Sequence, residues 1–146
     1  MIRKRLLSVC LALALCLSLL PATALAADGD TVYVGGVELT GSTDNPAYAT
    51  TDDSGTVITE SASESDYKIK WDGSTLTLKG ANITGGVSES SSYITGAGIG
   101  VLNTSGNAEL TIQLEGSNTV SAPTGVHIYA NSGTATLNIT GETAAV

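Results

Sequence analysis

Phenylalanine is absent, tryptophan occurs once, and six basic residues face fourteen acidic ones in a chain of 146 residues. Both cysteines, Cys10 and Cys16, fall at the N-terminus. Each scarcity excludes something. With its only thiols in the N-terminal apolar run, the rest of the chain has neither a disulfide framework nor a thiolate metal site. An acidic surface repels phosphate backbones, which excludes nucleic acid as a partner. It leaves cations and uncharged partners such as neutral glycans. The core must be aliphatic. Helical periodicity is also missing beyond residue 26. Apolar residues alternate there, and Gly, Thr, Ser and Asn separate the short runs, which predicts many short strands.

What is present begins with an export signal. Arg3, Lys4 and Arg5 form a positive region, Leu6 to Leu20 is almost wholly apolar, and Pro21 ends it. Ala24-Leu25-Ala26 supplies small residues at the positions a signal peptidase reads. A membrane anchor would need roughly 20 apolar residues, and this run is shorter. A lipoprotein signal would place a small residue before the cysteine, whereas Val9 precedes Cys10 and Leu15 precedes Cys16. The expectation is therefore a cleaved signal peptide over residues 1–26, a secreted or cell-surface location, and no stable membrane span after cleavage. Cleavage leaves 120 residues, with Lys68, Lys70 and Lys79 against fourteen acids and a net charge of −11.

Residues 27–66 read as a hairpin followed by polar loop. Thr31 to Val34 and Val37 to Thr40 flank Gly35-Gly36, a pair suited to a tight turn. Gly41 to Ser65 reads as surface loop with one short strand candidate at Thr56 to Thr59. A second hairpin is expected around Asp72-Gly73. A two-residue turn there would set Trp71 opposite Ser74, Ile69 opposite Leu76 and Tyr67 opposite Leu78. Tyr67, Ile69, Trp71, Leu76 and Leu78 would then share one face, and Lys68, Lys70, Thr75, Thr77 and Lys79 the other.

Residues 67–146 repeat. Gly98-Ile99-x-Val101 and Gly106-x-Ala108-x-Leu110-x-Ile112 recur at Gly125 and Gly133 with an offset of 27 residues. Leu76-x-Leu78-x-Gly80-x-Asn82 recurs at Ile112 with an offset of 36. Repeats of this length without helices point to a β-solenoid, in which each unit buries its apolar face against its neighbours. Asn in the corners can bond its own backbone and a stacked neighbour. A β-sandwich with evenly spaced strands is the alternative. The chain ends 21 residues into the unit that starts at Gly125, with no polar cap in view. The expectation is a truncated solenoid with further domains downstream.

Val32 to Leu39, Trp71 to Leu78, and Gly98-Ile99 leading to Leu110 to Asn118 resemble a group of secreted proteins from Gram-positive, often gut, bacteria. Their repeats are similar to a clostridial carbohydrate-binding domain family of the cellulose- and pectin-binding type. That resemblance spans most of residues 31–141. It implies a right-handed parallel β-helix shaped like pectate lyases, binding to plant cell-wall polysaccharide, and an ability to carry calcium. Its motifs are strands and turns, so they speak for fold more than for function.

Candidate chemistry is sparse. A lyase of the pectate-lyase kind needs a calcium carboxylate cluster and a base, and no arginine remains after residue 26. Glu109 and Glu115 fall at even spacing and could share a strand face, but solvated charges fit them as well. His127 lies between Val126 and Ile128 and should point outward, with no nucleophile beside it. Asp28 and Asp30, and Asp52 with Asp53, offer oxygen ligands for calcium in loops. Trp71, Tyr67, Tyr93 and Tyr129 are the aromatic candidates for stacking on sugar rings, Trp71 and Tyr67 competing with core roles. The reading is a non-catalytic, secreted polysaccharide-binding module with no obligate cofactor. A structural or adhesive stalk segment and a lyase-like enzyme are the alternatives.

Overall fold

The computed structural model describes residues 31–89 and 93–141. The expected signal peptide, with Asp28 and Asp30, lies outside the described residues. Twelve strands and no helix make up the described residues, so the all-β class holds.

The first hairpin forms as its sequence predicts. Strand β1 (Thr31–Val34) pairs with β2 (Val37–Leu39) in the register Val34 to Val37 and Val32 to Leu39. Gly35 and Gly36 bridge them at φ of 58° and 86°, the paired positive angles that match the twist of a two-residue hairpin. The segment expected to be loop is not all loop. It contains the unexpected β3 (Ala47–Thr51), an interior strand of a six-stranded sheet, while β4 (Val57–Ile58), which forms that sheet's edge, falls on the strand candidate at Thr56 to Thr59. Alternation hid β3, because Ala49 is fully buried yet contributes only a methyl group to the pattern.

The second hairpin joins β5 (Ile69–Trp71) to β6 (Thr75–Lys79), with a register different from the expected one. Trp71 faces Leu76 and Ile69 faces Leu78. The slip is by two residues, so Ile69, Trp71, Leu76 and Leu78 keep their inward face. Its cause is Asp72, whose Oδ1 accepts the backbone N–H of Ser74 at 3.0 Å and of Thr75 at 2.8 Å. That side-chain turn consumes two more residues than the expected tight turn. Tyr67 precedes β5 and escapes the alternation altogether. It leaves the core face to which the expected register assigned it.

Beyond β6 the chain moves from sheet to sheet in a fixed order. Next come β7 (Asn82–Thr84), β8 (Ala97–Asn103), β9 (Ala108–Glu115), β10 (Thr119–Ser121), β11 (Thr124–Ala130) and β12 (Ala135–Gly141). Strands β6, β9 and β12 are parallel neighbours in the six-stranded sheet, β7 and β10 form a parallel pair, and β8 and β11 are parallel in a four-stranded sheet. Pairing of β12 on β9 and of β11 on β8 follows the 27-residue offset, Leu137 on Leu110 and Val126 on Ile99. Pairing of β9 on β6 follows the 36-residue offset, Ile112 on Leu76. The repeats read in the sequence are therefore the units that pair. The first unit is longer because residues 85–96 separate β7 from β8, where only Ala122 and Pro123 separate β10 from β11.

The N-terminal part is not a separate body. β1 pairs antiparallel with β8, and β3 with β5, so both large sheets are mixed. One aliphatic cluster unites the inner faces: Val32 and Val34, Ile69 and Trp71, Leu76 and Leu78, Ile99 and Val101, Leu110 and Ile112. Gly98 sits where the units close on each other. A Cβ there would lie 2.5 Å from a methyl of Val120, so only glycine fits between β8 and β10.

Asparagines tie the units together at their corners. Asn118 accepts the N–H of Ala81 at 2.8 Å and donates to the carbonyls of Glu115 and Gly116. Asn107 accepts the N–H of Thr134 at 2.8 Å, across 27 residues. Buried Asn103 shapes its own corner by accepting from Ser105 and Gly106 and donating to the carbonyl of Asn107.

Candidate functional site

Strand alternation that sends Ile69, Leu76, Leu78 and Ile112 inward sends their neighbours to the outer face of the six-stranded sheet. Register aligns Tyr48, Lys70, Thr77 and Gln113 across four strands, and Lys79 beside Glu115 in the next row. Tyr67 reaches this face from just before β5. Its ring lies 5.3 Å from that of Tyr48, tilted by 48°, and the Lys79 Nζ stands 5.7 Å from the Tyr67 centroid. Both rings are half-buried, so each keeps an accessible side. Lys68 lies along the margin, its Nζ donating to the carbonyl of Thr51 at 3.1 Å and to that residue's hydroxyl at 3.4 Å.

The three lysines are all the cationic side chains among the described residues. In a chain with an overall charge of −8, they gather around two tyrosines on one sheet face. An aromatic pair beside ammonium and amide donors can stack on the apolar face of a sugar ring and bond its hydroxyls or carboxylates, although Thr77 in the same row is buried. Tyr48 was not legible as part of this group, because it falls in the segment read as loop. Only its pairing with Lys70 brings it beside Tyr67.

Trp71 must be removed from the candidates. It is 2% exposed inside the aliphatic cluster, since the turn at Asp72 leaves it facing Leu76. Tyr93 and Tyr129, which look isolated in sequence, meet instead. Val87 and Ile94, from the connection between β7 and β8, pack with Ala97 on the outer face of the four-stranded sheet in a small cluster with Tyr33, Leu102 and Tyr129 beside it. Tyr93, 52% exposed, stacks on Tyr129 with 4.5 Å between centroids and 28° between planes. Tyr129 donates to Asn131 Oδ1 at 3.3 Å. Each ring thus spends one side on the other, which leaves less open aromatic surface than at Tyr48 and Tyr67. His127 shares this outer face, in register with Gly100 and through it with Tyr33. Burial raises the Tyr33 phenol above its ordinary range, and the charge and hydrogen bond of Glu38 add to it.

Of the acid pair Asp52 and Asp53, Asp52 shapes a turn. Asp52 Oδ1 accepts the hydroxyl of Ser54 at 2.6 Å and the N–H groups of Ser54 and Thr56 at 2.9 and 2.8 Å. Those bonds, the Ser54 hydroxyl first, hold its carboxyl below the usual range. They form a turn between β3 and β4, and one of the two oxygens is already committed. Among the described residues no three His, Cys, Asp or Glu side chains gather as a metal would require. No helix among them is long and apolar enough to cross a membrane.

Comparison with protein-family models, with curated proteins and with solved structures finds no match.

Proposed function

We propose that this chain is an exported, non-catalytic β-solenoid module that binds polysaccharide on the outer face of its six-stranded sheet. The observation that carries the reading is the Tyr48–Tyr67 pair with Lys70 and Lys79 beside it. A strand face aligned in register offers a flat track, which suits an extended glycan chain better than a small ligand in a cleft. The solenoid part of the reading, right-handed as parallel crossovers nearly always are, draws its support from the parallel pairing of successive units at 27 and 36 residues. The export part draws it from the N-terminal charge, apolar run and small-residue site.

Affinity electrophoresis in gels cast with neutral or uronate-bearing polysaccharides tests the proposal. The expected result is retardation that Tyr67→Ala and Tyr48→Ala each weaken by about tenfold, a value typical of one stacking residue. Tyr93→Ala should leave it unchanged. Greater retardation by uronates, reduced in Lys70→Ala and by salt, would assign the lysines to ligand carboxylates. Migration unaffected by every polysaccharide rejects binding and leaves the structural stalk, which the in-register stacking of units also suits.

A further inference from the structure

Oxidisable side chains are unevenly placed. Met1, Cys10 and Cys16 are the only sulfur side chains and all fall at the N-terminus, and Trp71 is 2% exposed inside the aliphatic core. Sulfur side chains are those that oxidants ordinarily consume first. Beyond residue 16 the chain has none, so an oxidant in solution meets phenols. That part of the chain also has no cysteine with which to staple its units by a disulfide.

Two of those phenols are already in contact. Tyr93, from the connection between β7 and β8, stacks on Tyr129 of β11 with 4.5 Å between centroids and 28° between planes. That separation is at the short end of aromatic contacts, and it brings together residues 36 apart in the chain. Tyr93 is 52% exposed and Tyr129 is half-buried, which gives an oxidant access to the pair. The pair Tyr48–Tyr67 differs on each count. Its rings are 5.3 Å apart, tilted by 48° and both half-buried. The Lys79 ammonium also stands 5.7 Å from the Tyr67 centroid, and a cation opposes removal of an electron from the ring it faces.

We propose that Tyr93 and Tyr129 form a modification site, joined by an oxidant of the peroxide class into a dityrosine that staples the β7–β8 connection to β11. Each phenol gives up one electron, and its hydroxyl proton goes to water. The two phenoxyl radicals form a bond between ring carbons next to the oxygen-bearing carbons. The hydrogens on those carbons then move to the oxygens, which restores both phenols. Hydrogen peroxide, working through a haem peroxidase, takes up the two electrons and two protons and leaves as two waters. Stacking holds the rings where the bond must form, which favours this pair over encounters between chains. The bond ties one unit to the next, and by the reasoning that applies to a disulfide it restricts the unfolded chain.

Treatment of the dilute, folded full chain with a haem peroxidase and hydrogen peroxide tests the proposal. Cleavage after glutamate places Tyr93 in residues 90–109 and Tyr129 in residues 116–142, each with no other tyrosine. The expected product is a single chain with dityrosine emission, in which these two peptides are joined and lighter by two hydrogens. Its yield should not depend on protein concentration. Tyr93→Phe and Tyr129→Phe, which keep the ring and lose the hydroxyl, should each abolish it, whereas Tyr48→Phe and Tyr67→Phe should retain it. The shielded emission of Trp71 establishes that each variant is folded. The joined protein should unfold at a higher urea concentration than Tyr93→Phe treated in the same way. A bond that forms first between other tyrosines would overturn the proposal. So would a product undiminished in Tyr93→Phe, joining only between chains in proportion to their concentration, or no joining at all. An unchanged urea midpoint would overturn the role as a staple.

Discussion

Asp72 illustrates how much one carboxylate can set. Burial pushes its pKa up, but the N–H groups of Thr75 and Ser74, the Ser74 hydroxyl and the nearby charge of Lys70 together hold it below the ordinary value. A carboxyl depressed in the folded state contributes stability above its unfolded pKa of about 3.9, and loses it as pH falls through the lower folded value. Asp72→Asn keeps an acceptor oxygen without the charge. Urea unfolding should therefore separate the two proteins near neutral pH and bring them together as pH drops below about 4. A constant gap at all pH values would mean that the charge contributes nothing. The same residue also marks a limit of sequence reasoning. Asp-Gly reads as a two-residue turn, whereas the hydrogen bonds of the Asp side chain make a longer one. The inward face survived because strands alternate with period two, and the slip was two residues.

Among the elements, the corners carry as much specificity as the strands. Asn118 satisfies the N–H of Ala81 in the preceding unit while it donates to two carbonyls of its own. Asn118→Ala strands these groups at a partly buried corner. Leaving one such group unsatisfied costs about 1–3 kcal/mol, and urea denaturation should show a loss of that size without a change in the far-ultraviolet strand signal. Corner asparagines were legible as a type, since the residue suits tight turns. Which backbone each would bond was not, because Asn118 and Ala81 are 37 residues apart. β3 was missed for a related reason. A strand of Ala and Thr has a weak apolar alternation, and its place is set by pairing to β5 and by burial of Ala49. Tyr48 rides on β3, so half of the candidate aromatic pair was lost with it.

For the whole molecule, charge is the dominant departure from balance. The overall charge of −8 becomes −11 if the first 26 residues are removed. Self-repulsion on this scale opposes the compact state. Raising the ionic strength from about 0.01 M to about 0.15 M shortens the screening length from about 30 Å to about 8 Å. The thermal midpoint of the protein should rise over that interval. A midpoint that stays level or falls would show that local attractions, such as those around the three lysines, outweigh the general repulsion. Stability should be lost in one step, because β1 pairs with β8 and β3 with β5. These contacts bind the first segment into the sheets built by the repeats.

By itself the sequence determined the all-β class, the first hairpin, and the spacing at which units pair. Those features are local or periodic, and alternation, glycine turns and a constant offset record them directly. Tertiary structure alone decided the mixed sheets, the burial of Trp71 and the meeting of Tyr48 with Tyr67 and of Tyr93 with Tyr129. Each of these depends on strands or loops distant in the chain arriving side by side, and no local pattern encodes which partner comes.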